Sequence, residues 1–139
     1  MEEATLFADG GSRGNPGPAA SAAILFGPDE ETIEEIGAYL GIATNNVAEW
    51  TALVLGLEAA VRRGIRRLKV RLDSELVVKQ LRNEYRVKHA GLQPLYRRAA
   101  ALLRNFDEVD VRHVARRANA AADRLVNLVL DQEAPARAK

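Results

Sequence analysis

Three strand-sized runs come before any helical pattern in this chain: ATLFAD (4–9), ASAAILF (20–26) and ETIEEIGAYL (31–40). This order limits the fold more than any other feature. Consecutive strands without an intervening helix pair as an antiparallel meander. GPDE, between the second and third runs, is hairpin punctuation, so those two are predicted to pair antiparallel.

Behind the meander the period changes. Asn45 and Asn46 offer an N-cap, and a helix is predicted from about 47 to 63. Val47, Trp50, Val54, Leu57 and Val61 form one stripe, and Ala52, Gly56 and Ala60 a second, so the helix should be buried on two sides with Trp50 in the core. Gly64 stops it. LKVRLD (68–73) alternates like a strand and ends at Asp73, with Ser74 or Asp73 capping a short helix over about 75–82. A connector, NEYRVKHAGLQP (83–94), leads into a helix at about 92–104. VDVRHV (109–114) is a fifth strand, and Asn119 is expected to cap a last helix running to about 131. A meander followed by strand–helix alternation predicts an α/β domain: a five-stranded mixed sheet with helices on its faces. Residues 1–132 read as one domain, and EAPARAK (133–139) as a disordered tail.

The chain has 139 residues and no cysteine, so disulfides and thiolate metal sites are excluded. MEEATLFADGG resembles neither a signal peptide nor a membrane anchor, and a cytoplasmic protein is expected. The net charge of +1 announces no polyanion partner by itself. Its distribution allows one: basic residues crowd over 62–71 and 97–124, while DEETIEE (29–35) is acidic. Ordinary solvated charge explains the same pattern.

Four acids fall at predicted element ends. Asp9 closes the first strand and Asp73 the fourth; Glu49 lies in the first turn of the long helix and Asp123 in that of the last. Taken singly, each has an ordinary explanation as a turn residue, a cap or a complement to the helix dipole. Taken together they fit those roles less well. Glu49 shares the small-residue stripe that faces the sheet, and Asp123 sits among alanines. A carboxylate aimed at a sheet needs a partner, and four acids in one place raise one another's pKa. No Lys or Arg accompanies all four, whereas hard divalent cations would: Mg²⁺ takes oxygen ligands and completes its shell with water and phosphate oxygens. Two such ions about 4 Å apart serve phosphoryl transfer.

DGGSRGNPGP, TNNVAEWTAL, LDSELVV and NAAADRLVN, in this order, resemble the signature blocks of type 1 ribonuclease H, over residues 5 to about 131. The resemblance implies a ribonuclease H-like fold with sheet order 3-2-1-4-5, strand 2 antiparallel and helices on both faces. It implies endonucleolytic cleavage of the RNA strand of an RNA–DNA hybrid with two Mg²⁺ (or Mn²⁺), leaving 5′-phosphate and 3′-hydroxyl ends. Asp9, Glu49, Asp73 and Asp123 match the metal-binding carboxylates. Gly10, Gly11 and Ser12 belong to a loop whose backbone approaches the minor groove, and Asn15 matches the loop Asn that reads the hybrid. Asn45 and Asn46 match paired amides that contact bases and 2′-hydroxyls, and Asn45 remains open to a second role as a helix cap. Thr44 matches a phosphate-pocket threonine. The partner implied is the hybrid duplex, with double-stranded RNA as a second candidate and a monomeric protein acting on it.

The chain departs from the pattern in places. Many members carry a His before the last helix; here the segment is RHVARRANAAAD. His113 falls in the fifth strand and reads as structural. Arg116 resembles the arginine of an archaeal-type loop and is the expected stand-in, ahead of Arg117, with an electrostatic role. The basic, tryptophan-containing extension of some members is absent, leaving Tyr85, Arg86 and Lys88 as the expected DNA-strand contacts. Glu75 occupies a substrate-side position that is often Gln. Ile42 stands where some relatives have an arginine at the phosphate pocket.

Overall fold

The computed structural model describes residues 2–133. In chain order it contains β1 (Glu3–Ser12), β2 (Gly17–Phe26), β3 (Thr32–Ala43), α1 (Asn45–Arg62), β4 (Arg67–Leu72), α2 (Glu75–Leu81), α3 (Gln93–Leu103), β5 (Glu108–His113), a 3-10 turn (Arg116–Asn119) and α4 (Ala120–Glu133). The sheet order is β3-β2-β1-β4-β5. Strand β2 runs antiparallel to β1 and β3, whereas β1, β4 and β5 run parallel. The predicted order of elements and the mixed sheet hold. The tail expected over 133–139 lies outside the described residues except for Glu133, which ends α4.

The continuous apolar run of β2 has a simple cause: both its faces are covered. Ala23 and Leu25 join the core under α1, which also takes Leu6, Trp50, Leu53, Leu57 and Val70. Ala20, Ala22 and Ile24 face the other way, into a smaller core under α4 with Ala122, Val126 and Leu130. Helix α1 is buried as its double stripe predicted, with Trp50 fully enclosed edge-on to Tyr96. Gly64, at φ 71°, follows its C-terminus as expected. Among the described residues no helix is long and apolar enough to cross a membrane.

Several boundaries differ from those read in the sequence, for identifiable reasons. Strand β1 does not stop at Asp9; it continues to Ser12 because its antiparallel partner continues, pairing Gly10 with Ser21 and Ser12 with Ala19. Only the parallel ladder to β4 ends there, at Ala8 opposite Leu72. The N-cap of α1 is Thr44, whose Oγ1 accepts from the Val47 amide, so Asn45 is the first helical residue and Glu49 lies one residue beyond the first turn. Ser74, not Asp73, caps α2. Asn119 caps nothing: it ends the 3-10 turn, buried, and its Nδ2 donates to the Ala8 carbonyl at 2.9 Å.

Candidate active site

The parallel trio β1, β4 and β5 ends on one edge of the sheet, where this topology gathers functional groups. Ala8 is in register with Leu72, and Leu72 with His113. Asp9 and Asp73 therefore emerge side by side, one residue beyond the end of their shared ladder. The chain leaving β5 reaches Arg116 three residues past His113, and Asn119 ties that turn back to Ala8. This tie sets the first turn of α4, with Asp123, against the same edge.

Glu49 arrives from the helical layer. A Cβ on Gly10 would overlap the carbonyl of Ala48 and the amide of Glu49, so the missing side chain is what lets α1 press against β1 there. The same logic applies one element deeper, where Gly56 packs on Leu6. The sequence reading gave Gly10 to close approach by nucleic acid; the space beside it is filled by the protein's own helix. A Cβ on Gly11 would meet only Val126, at an ordinary van der Waals distance, and Gly11 lines the cleft.

The resulting cleft has a volume of about 350 Å³ and is lined by Asp9, Glu49, Asp73, Asp123 and Arg116, with Gly10, Gly11, Ser12, Arg13 and Asn45 at its rim. Burial pushes the Asp9 carboxyl up from 3.8 to about 7, and repulsion from Asp73, Asp123 and Glu49 adds to this against a hydrogen bond from Gly10. Burial likewise pushes Glu49 from 4.5 to about 7; Asp73 adds to the rise and the Arg116 guanidinium opposes it. Repulsion among the acids, expected from the sequence, is thus built into the fold. The donor set is oxygen only. Among the described residues no three of these groups close around a single point. Mg²⁺ keeps several waters and needs only one or two protein carboxylates per ion, so this open cleft with four carboxylates suits it.

The rim is wired internally. Ser12 donates its amide to Asn45 Oδ1 at 2.8 Å and its hydroxyl to the Ala43 carbonyl at 2.9 Å. Asn45 in turn donates its amide to Asn15 Oδ1 at 3.0 Å. Both side-chain oxygens are therefore occupied, and Asn15 and Asn45 are both exposed. Asn46 is exposed in the first turn of α1, outside the cleft lining, and Glu75 is exposed at the start of α2, 4.0 Å from Lys79. Of the three candidates for the loop role, Arg116 alone lines the cleft; His113 ends β5 with an exposed side chain, and Arg117 is exposed elsewhere on the turn. Exposure does not fit the packing role read for His113. Tyr85, Arg86 and Lys88 are exposed on the connector, with Lys79 Nζ 5.0 Å from the Tyr85 ring centre. Ile42 is exposed on β3.

Three participants escaped the sequence reading. Arg13 reaches from the glycine loop to Asp131 at 2.7 Å, strapping the loop to α4. Asn119 was read as a cap. Ser21, fully buried in β2, donates to the Ala48 carbonyl at 2.6 Å. Its signal was available: a lone hydroxyl inside the apolar run ASAAILF.

Residues 7–129 match the family model described as reverse transcriptase-like. The bifunctional protein Rv2228c of Mycobacterium tuberculosis is 44% identical over 130 residues, which are 93% of this chain but 36% of that protein. Ribonuclease HI of Halobacterium salinarum is 43% identical over 125 residues, 90% of this chain and 63% of that one. The chain thus spans only part of the length of these relatives. The crystal structure of RNase H1 from Halobacterium salinarum superimposes with a TM-score of 0.89 at 42% identity, covering 94% of this chain and 98% of that chain. LC11-RNase H1 in complex with RNA/DNA hybrid gives a TM-score of 0.87 at 36% identity, covering 93% and 97%.

Proposed function

This chain belongs to the ribonuclease H family, and from that premise we propose that it is an endoribonuclease. It hydrolyses phosphodiesters in the RNA strand of RNA–DNA hybrids and leaves 5′-phosphate and 3′-hydroxyl ends. The observation that carries this reading is the convergence of Asp9, Glu49, Asp73 and Asp123, from four separate segments of the chain, on one cleft with the exposed amide side chain of Asn45 at its rim.

Two Mg²⁺ ions, with Mn²⁺ as a substitute, would be held by these four carboxylates. Bound there, they supply Lewis-acid stabilisation of the attacking and leaving oxygens. The chain does the rest. Asn15 and Asn45 present Nδ2 donors, and every base pair offers acceptors in the minor groove. Donors at this rim can also hold a ribose 2′-hydroxyl, the group that distinguishes RNA from DNA. Thr44 spends its Oγ1 lone pair on the Val47 amide, which leaves its hydroxyl proton for a phosphate oxygen. Arg116, permanently charged, offsets negative charge near Glu49 and is placed to hold a departing phosphate.

Labelled hybrid, double-stranded RNA and duplex DNA of one sequence, incubated with Mg²⁺, Mn²⁺ or EDTA, test the proposal. Cleavage confined to the RNA strand of the hybrid, lost in EDTA and in Asp9→Asn, is expected. Binding of the hybrid without cleavage under either metal would reject the enzyme reading in favour of a nucleic-acid-binding domain. Equal cleavage of double-stranded RNA would widen the substrate to duplexes in general.

A further inference from the structure

Glu49 is carried by α1, which packs against β1 at Gly10. Its position depends on how α1 is seated. Strand β2 contributes a buried polar group at this point: Ser21 has no exposure, pairs across the sheet with Gly10, and donates its hydroxyl to the Ala48 carbonyl at 2.6 Å. Gly10, from β1, removes the side chain that would hold the same Ala48–Glu49 peptide away. One residue clears the space and its cross-strand neighbour grips what enters it.

Packing alone does not account for the hydroxyl. The surrounding β2 residues Ala19, Ala20, Ala22 and Ala23 are small and buried, so an alanine at 21 would fit the same volume. The Ala48 carbonyl also lies inside a helix, where the ladder to residue 52 already supplies a donor. A second donor at 2.6 Å adds direction rather than basic satisfaction. It ties the first turns of α1 to β2.

We propose that Ser21 is a positioning residue for the reaction. It acts through Ala48 to hold the Glu49 carboxylate in the cleft it shares with Asp9, where a divalent ion would bind. The inference rests on the functional reading above, in which Glu49 and Asp9 are metal ligands. It concerns neither hybrid binding, which falls to Asn15, Thr44 and Asn45, nor the chemistry at Asp73 and Asp123.

The test compares Ser21→Ala with Ile65→Val, a conservative core change beyond the far end of α1, and with Ser21→Cys, which keeps a weak donor. Mn²⁺ binding to hybrid-free protein is measured by titration calorimetry, and kcat and KM are measured on the hybrid. Ser21→Ala is expected to weaken Mn²⁺ binding and lower kcat by about tenfold each, as small misplacements of reacting groups do, with KM within about twofold of wild type. Ser21→Cys is expected to recover part of both, and Ile65→Val to change neither. Wild-type Mn²⁺ affinity and kcat in Ser21→Ala would overturn the inference, as would parallel losses in Ile65→Val. If Ser21→Ala fails to fold, the Ser21→Cys measurements decide between the same outcomes. Failure of the underlying reading looks different: the wild-type protein would not bind Mn²⁺, or Asp9→Asn would retain cleavage.

Discussion

Replacing Asp9 by Asn should inactivate the protein and, in the absence of divalent ions, make it more stable. The Asp9 carboxyl ionises near 3.8 in an unfolded chain and at about 7 in the fold, because burial and three neighbouring acids oppose its charge. A carboxyl with a raised folded pKa binds its proton more tightly in the native state. The folded chain therefore holds more protons than the unfolded chain between the two values, and stability falls as pH rises from about 4 to 7. Above 7 the cost is complete. At about 1.4 kcal/mol per pH unit it amounts to roughly 4 kcal/mol. Part of this disappears through relaxation and water in the open cleft, and Asn must still satisfy its own amide, so a net gain of about 2 kcal/mol is the reasonable expectation at pH 8. For a domain of this size that raises Tm by roughly 6 °C. The assay is thermal and urea denaturation of both proteins in EDTA at pH 5 and pH 8. The gap should be clearly smaller at pH 5 than at pH 8, and Mg²⁺ should then close it by stabilising the wild type preferentially. An Asn variant no more stable than wild type at pH 8 in EDTA, or a gap independent of pH, would refute the account of Asp9 as a strained, ion-requiring carboxylate.

Other changes probe different parts of the edge. Arg116→Ala should lower kcat by about tenfold or more while KM for the hybrid changes little, read by steady-state cleavage; an unchanged kcat would move the role to Arg117 or His113. Gly10→Ala drives a methyl into the Ala48–Glu49 peptide, and should cost about 2 kcal/mol in urea denaturation together with most of the activity. Retention of wild-type stability would show that α1 is not seated as described. Asn119→Ala strips the donor from the Ala8 carbonyl, and should destabilise by about 1–3 kcal/mol by the same assay.

The acids were legible in the sequence because each stands at a change of pattern. Asp73 ends an alternating run, Asp123 opens an amphipathic helix, and Glu49 interrupts a stripe of small residues. The rim was only half legible. Asn15, Thr44 and Asn45 could be located, but the sequence points to Asn45 or Asn46 as the cap of α1 whereas Thr44 fills it, because local preference ranks Asn above Thr at that position. The end of β1 was misjudged at Asp9 because glycines and a carboxylate signal a turn locally. The ladder to β2 outlasts that signal with pairs that local propensity does not report.

By itself the chain determined its element order, its double-sided helix α1 and the four acids. These depend on periodicity and local chemistry, which act over a few residues. Only the tertiary structure decided what the small and buried polar residues do. Gly10 makes room for a helix 38 positions away, Ser21 grips a carbonyl in that helix, and Asn119 reaches back to Ala8. Such contacts join segments far apart in sequence, and their energy lies in the space and hydrogen bonds shared between them, so no stretch of either partner carries it alone.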